Sequence, residues 1–221
     1  MASPELPVIP YNPNANIVEK AVGNFISAVF HPLFVPVYVI AFLLYVHPSA
    51  FTGFTSSDKF RVLLIILLNI VFFPLITILL LKALGFISSI QLHTRKDRII
   101  PYIAAGIFFF WAFNVFREQP QYSILVTKFL LATFLSASAA LIANIYFKIS
   151  MHAIAMGGMI TFFLLMFFSS SMFMAWPIAS ALIIGGFVCT SRLMVSSHRP
   201  VDIYFGIAVG IICQIAAWYF V

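Results

Sequence analysis

Residues 60–82 read FRVLLIILLNIVFFPLITILLLK, and this stretch decides the class of fold. Between Arg61 and Lys82 there is no charge, and only Asn69, Pro74 and Thr77 interrupt the apolar run. As a helix it is about 34 Å long, enough to cross a hydrocarbon core of about 30 Å. Runs of similar length and character lie at 23–46, 99–116, 124–146, 152–171, 174–193 and 202–221. Hydrophobic residues make up 63% of the chain and charged ones 8%, where a soluble domain is closer to half and a quarter. A chain of 221 residues has no globular core large enough to hide that much apolar surface. The expected fold is therefore all-α, a polytopic transmembrane helical bundle of about seven spans in one unit.

The breaks between spans are plain at 47–59, 88–98, 117–123 and 196–202. They are brief at KISMH (148–152) and SSSMFMAWP (169–177). A re-entrant turn at either brief break lowers the count to six. The first twenty residues carry Pro4, Pro7, Pro10 and Pro13 and read as an extended arm, with the first helix opening near Asn14 or Asn16. They lack the basic and apolar regions and the small-residue site of a cleaved signal peptide. Cys189 and Cys213 lie in apolar runs and read as membrane-buried side chains rather than a disulfide framework. Gly157-Gly158, Gly185-Gly186 and the Gly206/Gly210 pair offer surfaces for close helix approach, within the chain or in a homodimer.

Charges are rare, so their positions inform. If seven spans alternate, eight of the twelve basic residues fall on the face that bears the N-terminus. Three polar clusters meet there: His93 with Arg95, Lys96, Asp97 and Arg98; Lys148 with Ser150 and His152; and Arg192 with His198, Arg199 and Asp202. Each alone reads as a set of lipid-headgroup anchors. Together they make a basic site of phosphate size at one membrane surface. In the third cluster Asp202 follows His198 by four and stands where the last helix opens, a place that favours a carboxylate. Such a carboxylate can hold the imidazole by its Nδ1 proton and leave Nε2 to attack or to accept a proton. Arg192 offers a planar fork to phosphate oxygens. The chain has six acids, of which Asp97 and Asp202 are near the site, so no metal cluster is expected and no cofactor is needed. Nothing points to a nucleic-acid partner.

At these residues the chain resembles the type 2 phosphatidic acid phosphatase superfamily. The family's third motif, SR-x5-H-x3-D, is matched at Ser191-Arg192, His198 and Asp202, and Gly206 stands four residues beyond. The second motif, PSGH, is reduced to Ile149-Ser150-Met151-His152. The first, K-x6-RP, is represented only by the charges of Arg95-Lys96-Asp97-Arg98 and by Pro101. The resemblance covers about residues 92–210 and divides the chain into the arm (1–20), two N-terminal transmembrane helices (21–91) and a catalytic core (92–221). It implies a metal-independent lipid phosphate phosphatase. His198 would be the nucleophile that forms a phosphohistidine, Asp202 its orienting partner and His152 the general acid. Arg192, Ser150, Arg98 and Lys96 or Arg95 would bind phosphate, with Ser191 and Gly206 as support. The substrate class is a lipid phosphomonoester or polyprenyl diphosphate drawn from the surrounding membrane lipids. A phosphotransferase would use the same residues, and a non-catalytic lipid-phosphate binder or transporter would keep the site without the reaction. The expected location is a cell membrane, the bacterial inner membrane. Orientation stays open. Without the six basic residues that serve phosphate in this reading, Lys20 and Lys82 face Lys59, Arg61, Arg117 and Lys128, and the charge bias changes sign.

Overall fold

The first helix begins where Asn16 caps it: the Asn16 N–H donates to Glu19 Oε2 at 3.1 Å, so the chain turns into α1 (Ile17–Val29) without an unmet donor there. The computed structural model of the chain describes residues 16–90, 95–169, 175–195 and 198–221. After α1 come α2 (Val35–Tyr45), α3 (Ser56–Ile66), a π-helical turn (Leu67–Phe72) and α4 (Phe73–Ala83). Then follow α5 (Arg95–Arg117), α6 (Ile124–Tyr146), α7 (Met151–Ser169), α8 (Ala175–Met194) and α9 (Pro200–Phe220). No strand occurs among the described residues. The fold is an all-helical polytopic bundle.

Six helices are long and apolar enough to span a membrane, and their bounds follow the sequence reading closely: Ser56–Ala83, Lys96–Arg117, Ile124–Tyr146, Met151–Ser169, Ala175–Met194 and Pro200–Phe220. The chain is a multi-pass membrane protein. The exception is the expected first span, 23–46, which is not one helix. It divides at Phe30–Phe34 into α1 and the short apolar α2. Pro32 and Pro36 account for the division. Each lacks an N–H and disfavours helical geometry in the residue before it, and Pro36 fits only because it sits in the first turn of α2. The turn satisfies its own backbone, with Phe34 N–H to His31 C=O at 2.8 Å and the Tyr38 hydroxyl donating to Val29 C=O at 2.7 Å. Pro74 acts differently in the third element. The π-helical turn immediately before it widens the backbone rings, and the rod from Ser56 to Ala83 continues through it. That rod ends on Gly85, whose φ of 78° lets the Phe86 N–H reach back to Leu81 C=O at 2.9 Å.

The two brief breaks behave differently too. Phe147 is extended and separates α6 from α7, while 170–174 lies outside the described residues. Phe42, Phe129, Phe162, Phe163 and Trp218 meet edge to face in the core, with Phe129 and Phe162 ring centres 4.9 Å apart. The outer faces carry exposed Phe187, Ile183, Phe205 and Phe220, as lipid contact requires.

The closest helix approach is between α7 and α9. Gly157 lies against the Ile207 backbone, Gly210 against Ile154 C=O and the Gly158 N–H, and Gly206 against Ser150 C=O. A Cβ placed on Gly206 would stand 2.8 Å from Ala153 Cβ. The small residues noted in the sequence are thus engaged within the chain, where they allow two helices to touch backbone to backbone. Gly186 faces open space. Gly210→Leu is therefore expected to lower stability by about 1–3 kcal/mol or more through overpacking, whereas Gly186→Ala leaves it unchanged. Thermal unfolding of the two variants in one detergent checks this. Equal melting temperatures would show that the α7–α9 contact is not tight.

Candidate active site

The site is assembled from helix ends. In the first turn of α9, Arg199 is the N-cap and Asp202 the third helical residue. The Arg199 N–H donates to Asp202 Oδ2 at 3.0 Å, and Arg199 Nη2 donates to Oδ1 at 3.3 Å. The carboxylate, 2% exposed, is held by the helix end and a guanidinium. His198 Nδ1 lies 3.7 Å from Asp202 Oδ2, too long for a formed hydrogen bond, and Nδ1 has no other partner among the described residues. Long contacts of this kind are common in unliganded sites and tighten on binding.

His198 is 6% exposed. Burial above all pushes its imidazole down to about 4 from an ordinary 6.5; the charges of Arg192, Lys148 and Arg98 add to this, and Asp202 opposes it. At neutral pH the ring is uncharged and keeps one basic nitrogen. His31, in the turn after α1, is lowered as well, by burial and then by Arg192.

Arg192, at the end of α8, donates from Nη1 to Ser27 Oγ at 3.1 Å. Ser27 Oγ is 3.0 Å from Ser191 Oγ, and Ser191 donates to Val188 C=O at 2.7 Å. One consistent direction of donation runs from the guanidinium through both hydroxyls to the carbonyl. The buried Arg192 Nε–H has no partner among the described residues. His152, in the first turn of α7, has Nε2 3.0 Å from Ser27 C=O. A carbonyl only accepts, so Nε2 carries a proton and Nδ1 is left to exchange one. The His31 ring stands edge-on to His152, centres 5.6 Å apart.

Ser27, His31, His152, Arg192 and His198 line one cavity of about 860 Å³. Its polar end is formed by His31, Arg98, Lys148, His152, Arg192 and His198. Its inner end is formed by Phe109, Phe129, Ala132, Ala137 and Gly158, with Thr133, Ser136 and Gln214 among them. Among the described lining residues there are three cations, Arg98, Lys148 and Arg192, and no carboxylate. Among the described residues no group of three His, Cys, Asp or Glu comes together to suit a cation.

Of the residues expected from sequence, His198, His152, Arg192 and Arg98 line the cavity, and Asp202 stands behind His198. Ser150, expected on phosphate, does not line it. It is fully buried, its Oγ accepts from the Ala153 N–H at 3.4 Å, and its own N–H donates to Asp202 C=O at 3.3 Å. Its place is structural, tying the start of α7 to the first turn of α9. Ser191 is buried behind Arg192, and Gly206 packs under Ser150 and Ala153. Lys96 is exposed at the start of α5 and is not part of the lining. His93 and the side chain of Arg95 lie outside the described residues.

Sequence reasoning missed Ser27 and His31. The signal was present: Asn24, Ser27 and His31 recur at i, i+3 and i+7, a polar stripe along an apolar segment, and all three line the cavity. Comparison with protein-family models, with curated proteins and with solved structures finds no match to this chain.

Histidine NMR of the protein in nanodiscs should place the His198 midpoint near pH 4. The unfolded chain takes up this proton near 6.5 and the folded one near 4. The stability His198 contributes is thus complete above pH 6.5 and falls as the pH drops towards 4. His198→Gln removes that part of the acid sensitivity. A midpoint at 6.5 or higher would mean the ring is not held neutral by its surroundings.

Proposed function

We propose that the chain is an integral-membrane lipid phosphate phosphatase working through a phosphohistidine, in a cell membrane of the bacterial inner-membrane type. The observation that carries this reading is the convergence on one cavity of the His198–Asp202 pair, His152 and the cations Arg98, Lys148 and Arg192, above an apolar interior. A phosphate at the polar end meets guanidinium and ammonium donors, and the hydrocarbon of the same molecule lies along the inner end. Pro74, Leu75 and Ile78 of α4 line this cavity, and Leu75 is also exposed on the lipid-facing surface, which suits a substrate arriving from the bilayer.

In this reading the neutral His198 attacks phosphorus through Nε2 while Nδ1 turns to Asp202. With the phosphate dianion bound beside it, His152 takes up a second proton at Nδ1 and passes it to the leaving alcohol as the bond from phosphorus to the lipid oxygen breaks; its Nε2–H stays on Ser27 C=O. Arg192 and Arg98 stabilise the charge on the phosphoryl oxygens. Water, deprotonated by His152, then attacks the phosphohistidine and releases phosphate. Ser150 enters only as a support for the α7–α9 junction.

The test is phosphate release by the purified protein from a panel of lipid phosphates and diphosphates, with EDTA present. Wild type should turn over at least one of them. His198→Ala should abolish turnover, and His152→Ala should lower kcat about 10²–10⁴-fold. Turnover that survives His198→Ala sinks the phosphohistidine. Binding of the lipids without release from any of them sinks the hydrolase, and restoration by an added alcohol acceptor would identify a transferase.

A further inference from the structure

The chemistry proposed above gives no role to His31, although this ring reaches the cavity from outside the segment that carries the motifs. His31 is exposed, yet burial is the first cause that lowers its imidazole. A ring set among protein that still keeps accessible surface faces an internal space, and the space His31 lines is the cavity. A ligand there can touch it. Its Nδ1 accepts from the Leu33 N–H at 3.4 Å, so in the neutral ring the proton is on Nε2. Among the described residues that Nε2–H has no hydrogen-bond partner.

A histidine before a proline can serve its turn alone, and His47 shows what that role looks like. It precedes Pro48, and its Nδ1 accepts from the Ser49 and Ala50 N–H groups at 3.4 and 3.1 Å. His47 is buried and does not line the cavity, so the turn accounts for it. The turn accounts for only one nitrogen of His31. The other presents a donor to the cavity without adding charge to a lining that already holds Arg98, Lys148 and Arg192.

What this donor meets follows from its neighbour. The His31 ring stands edge-on to His152, centres 5.6 Å apart. In the proposed reaction His152 gives its proton to the leaving oxygen, so the leaving group lies at that ring. Two donors this close, each with a reach of about 3 Å, suit two oxygens on one molecule. A plain alcohol has one oxygen, and His152 uses it. We infer that His31 is a substrate-binding residue whose Nε2–H donates to a second oxygen on the leaving-group side of the lipid, in a glycerol ester or a second phosphate. This rests on the phosphate reading of the polar end. It separates lipids with a polar group next to the phosphate from simple alkyl phosphates.

The test measures binding to the protein in nanodiscs. The probes are inorganic phosphate, a plain alkyl phosphonate, the phosphonate analogue of phosphatidate and an alkyl methylenediphosphonate. Two substitutions divide the work of the ring. In His31→Asn the amide takes the place of Nδ1, which keeps the turn and loses the donor; in His31→Gln it reaches the place of Nε2. His31→Asn should weaken the phosphatidate analogue, the diphosphonate or both about three- to tenfold, and leave inorganic phosphate and the alkyl phosphonate unchanged. His31→Gln should bind the affected probe better than His31→Asn does, and that probe names the second oxygen. If His31→Asn binds as well as wild type, or better than His31→Gln, His31 is a turn residue like His47 and the inference falls. An equal loss for every probe overturns it too, because it places the donor on the phosphate itself. Should the variants fail to fold, histidine NMR of wild type decides: a His31 signal that no bound lipid probe moves overturns the inference, while the phosphate reading stands. If no probe binds wild type, this inference and the proposed function fall together.

Discussion

The backbone contact between α7 and α9 is the constraint on which the rest of this structure depends. In a bilayer, helices gain little from hiding apolar surface against each other, because lipid is as apolar as leucine. They associate where small residues let backbones approach and polar groups pair. Gly157, Gly206 and Gly210 supply the first condition, and the Ser150 N–H bonded to Asp202 C=O supplies the second. Both features lie along the first half of each helix, so the two helix starts are level. His152 belongs to one start and His198 leads into the other, and the distance between them follows from how closely the helices meet. Side chains carried on two helices keep a fixed separation only where that contact is tight, since a small displacement of either helix would shift one against the other.

Charge placement follows a second constraint. A guanidinium in a low-dielectric surrounding is costly, and proteins usually neutralise it with a carboxylate. Here the carboxylate of Asp202 is taken by the backbone N–H and guanidinium of Arg199, and Arg192 is held by the hydroxyl of Ser27 instead. A hydroxyl fixes the direction of the guanidinium without cancelling its charge. Together with Arg98 and Lys148 it leaves a lining that carries excess positive charge. In the proposed reading, a bound phosphate dianion offsets the cost of holding these cations together. The imidazole of His198 is depressed first by burial, and the same positive charge adds to the effect.

How far this was legible in the sequence differs by element. The six long helices are readable because a span is a property of average composition over about twenty residues. The first span was misread for the same reason, since averaging 23–46 hides what Pro32 and Pro36 do to the backbone. A face-by-face reading of that segment would have shown the Asn24, Ser27 and His31 stripe. Motif spacing picked out His198, His152 and Arg192, which the fold brings to one cavity, and Asp202 behind His198, because their separations along the chain are fixed by helix ends. It assigned Ser150 to phosphate because spacing does not say whether a hydroxyl is already needed as a cap; its oxygen serves the Ala153 N–H. Lys96 shares a sequence cluster with Arg98, but the two are two residues apart on a helix and cannot face the same way.

The residues that sequence reasoning placed outside the catalytic core then bear on how the site holds together. α1 packs chiefly on α8, with Gly23 closed against Val195 and Ser191, and its outward face is apolar and exposed. Yet Ser27, near its end, touches both His152 and Arg192, one through its carbonyl and the other through its hydroxyl. A single residue thereby fixes a ring nitrogen on α7 and a guanidinium on α8 relative to each other. Neither contact is available from within the 92–221 segment that carries the motifs. The proline-broken first span has a structural purpose on this view. A continuous helix would carry the chain on past this level, whereas the turn at Phe30–Phe34 lets α1 end beside the histidines and brings His31 to the edge of His152.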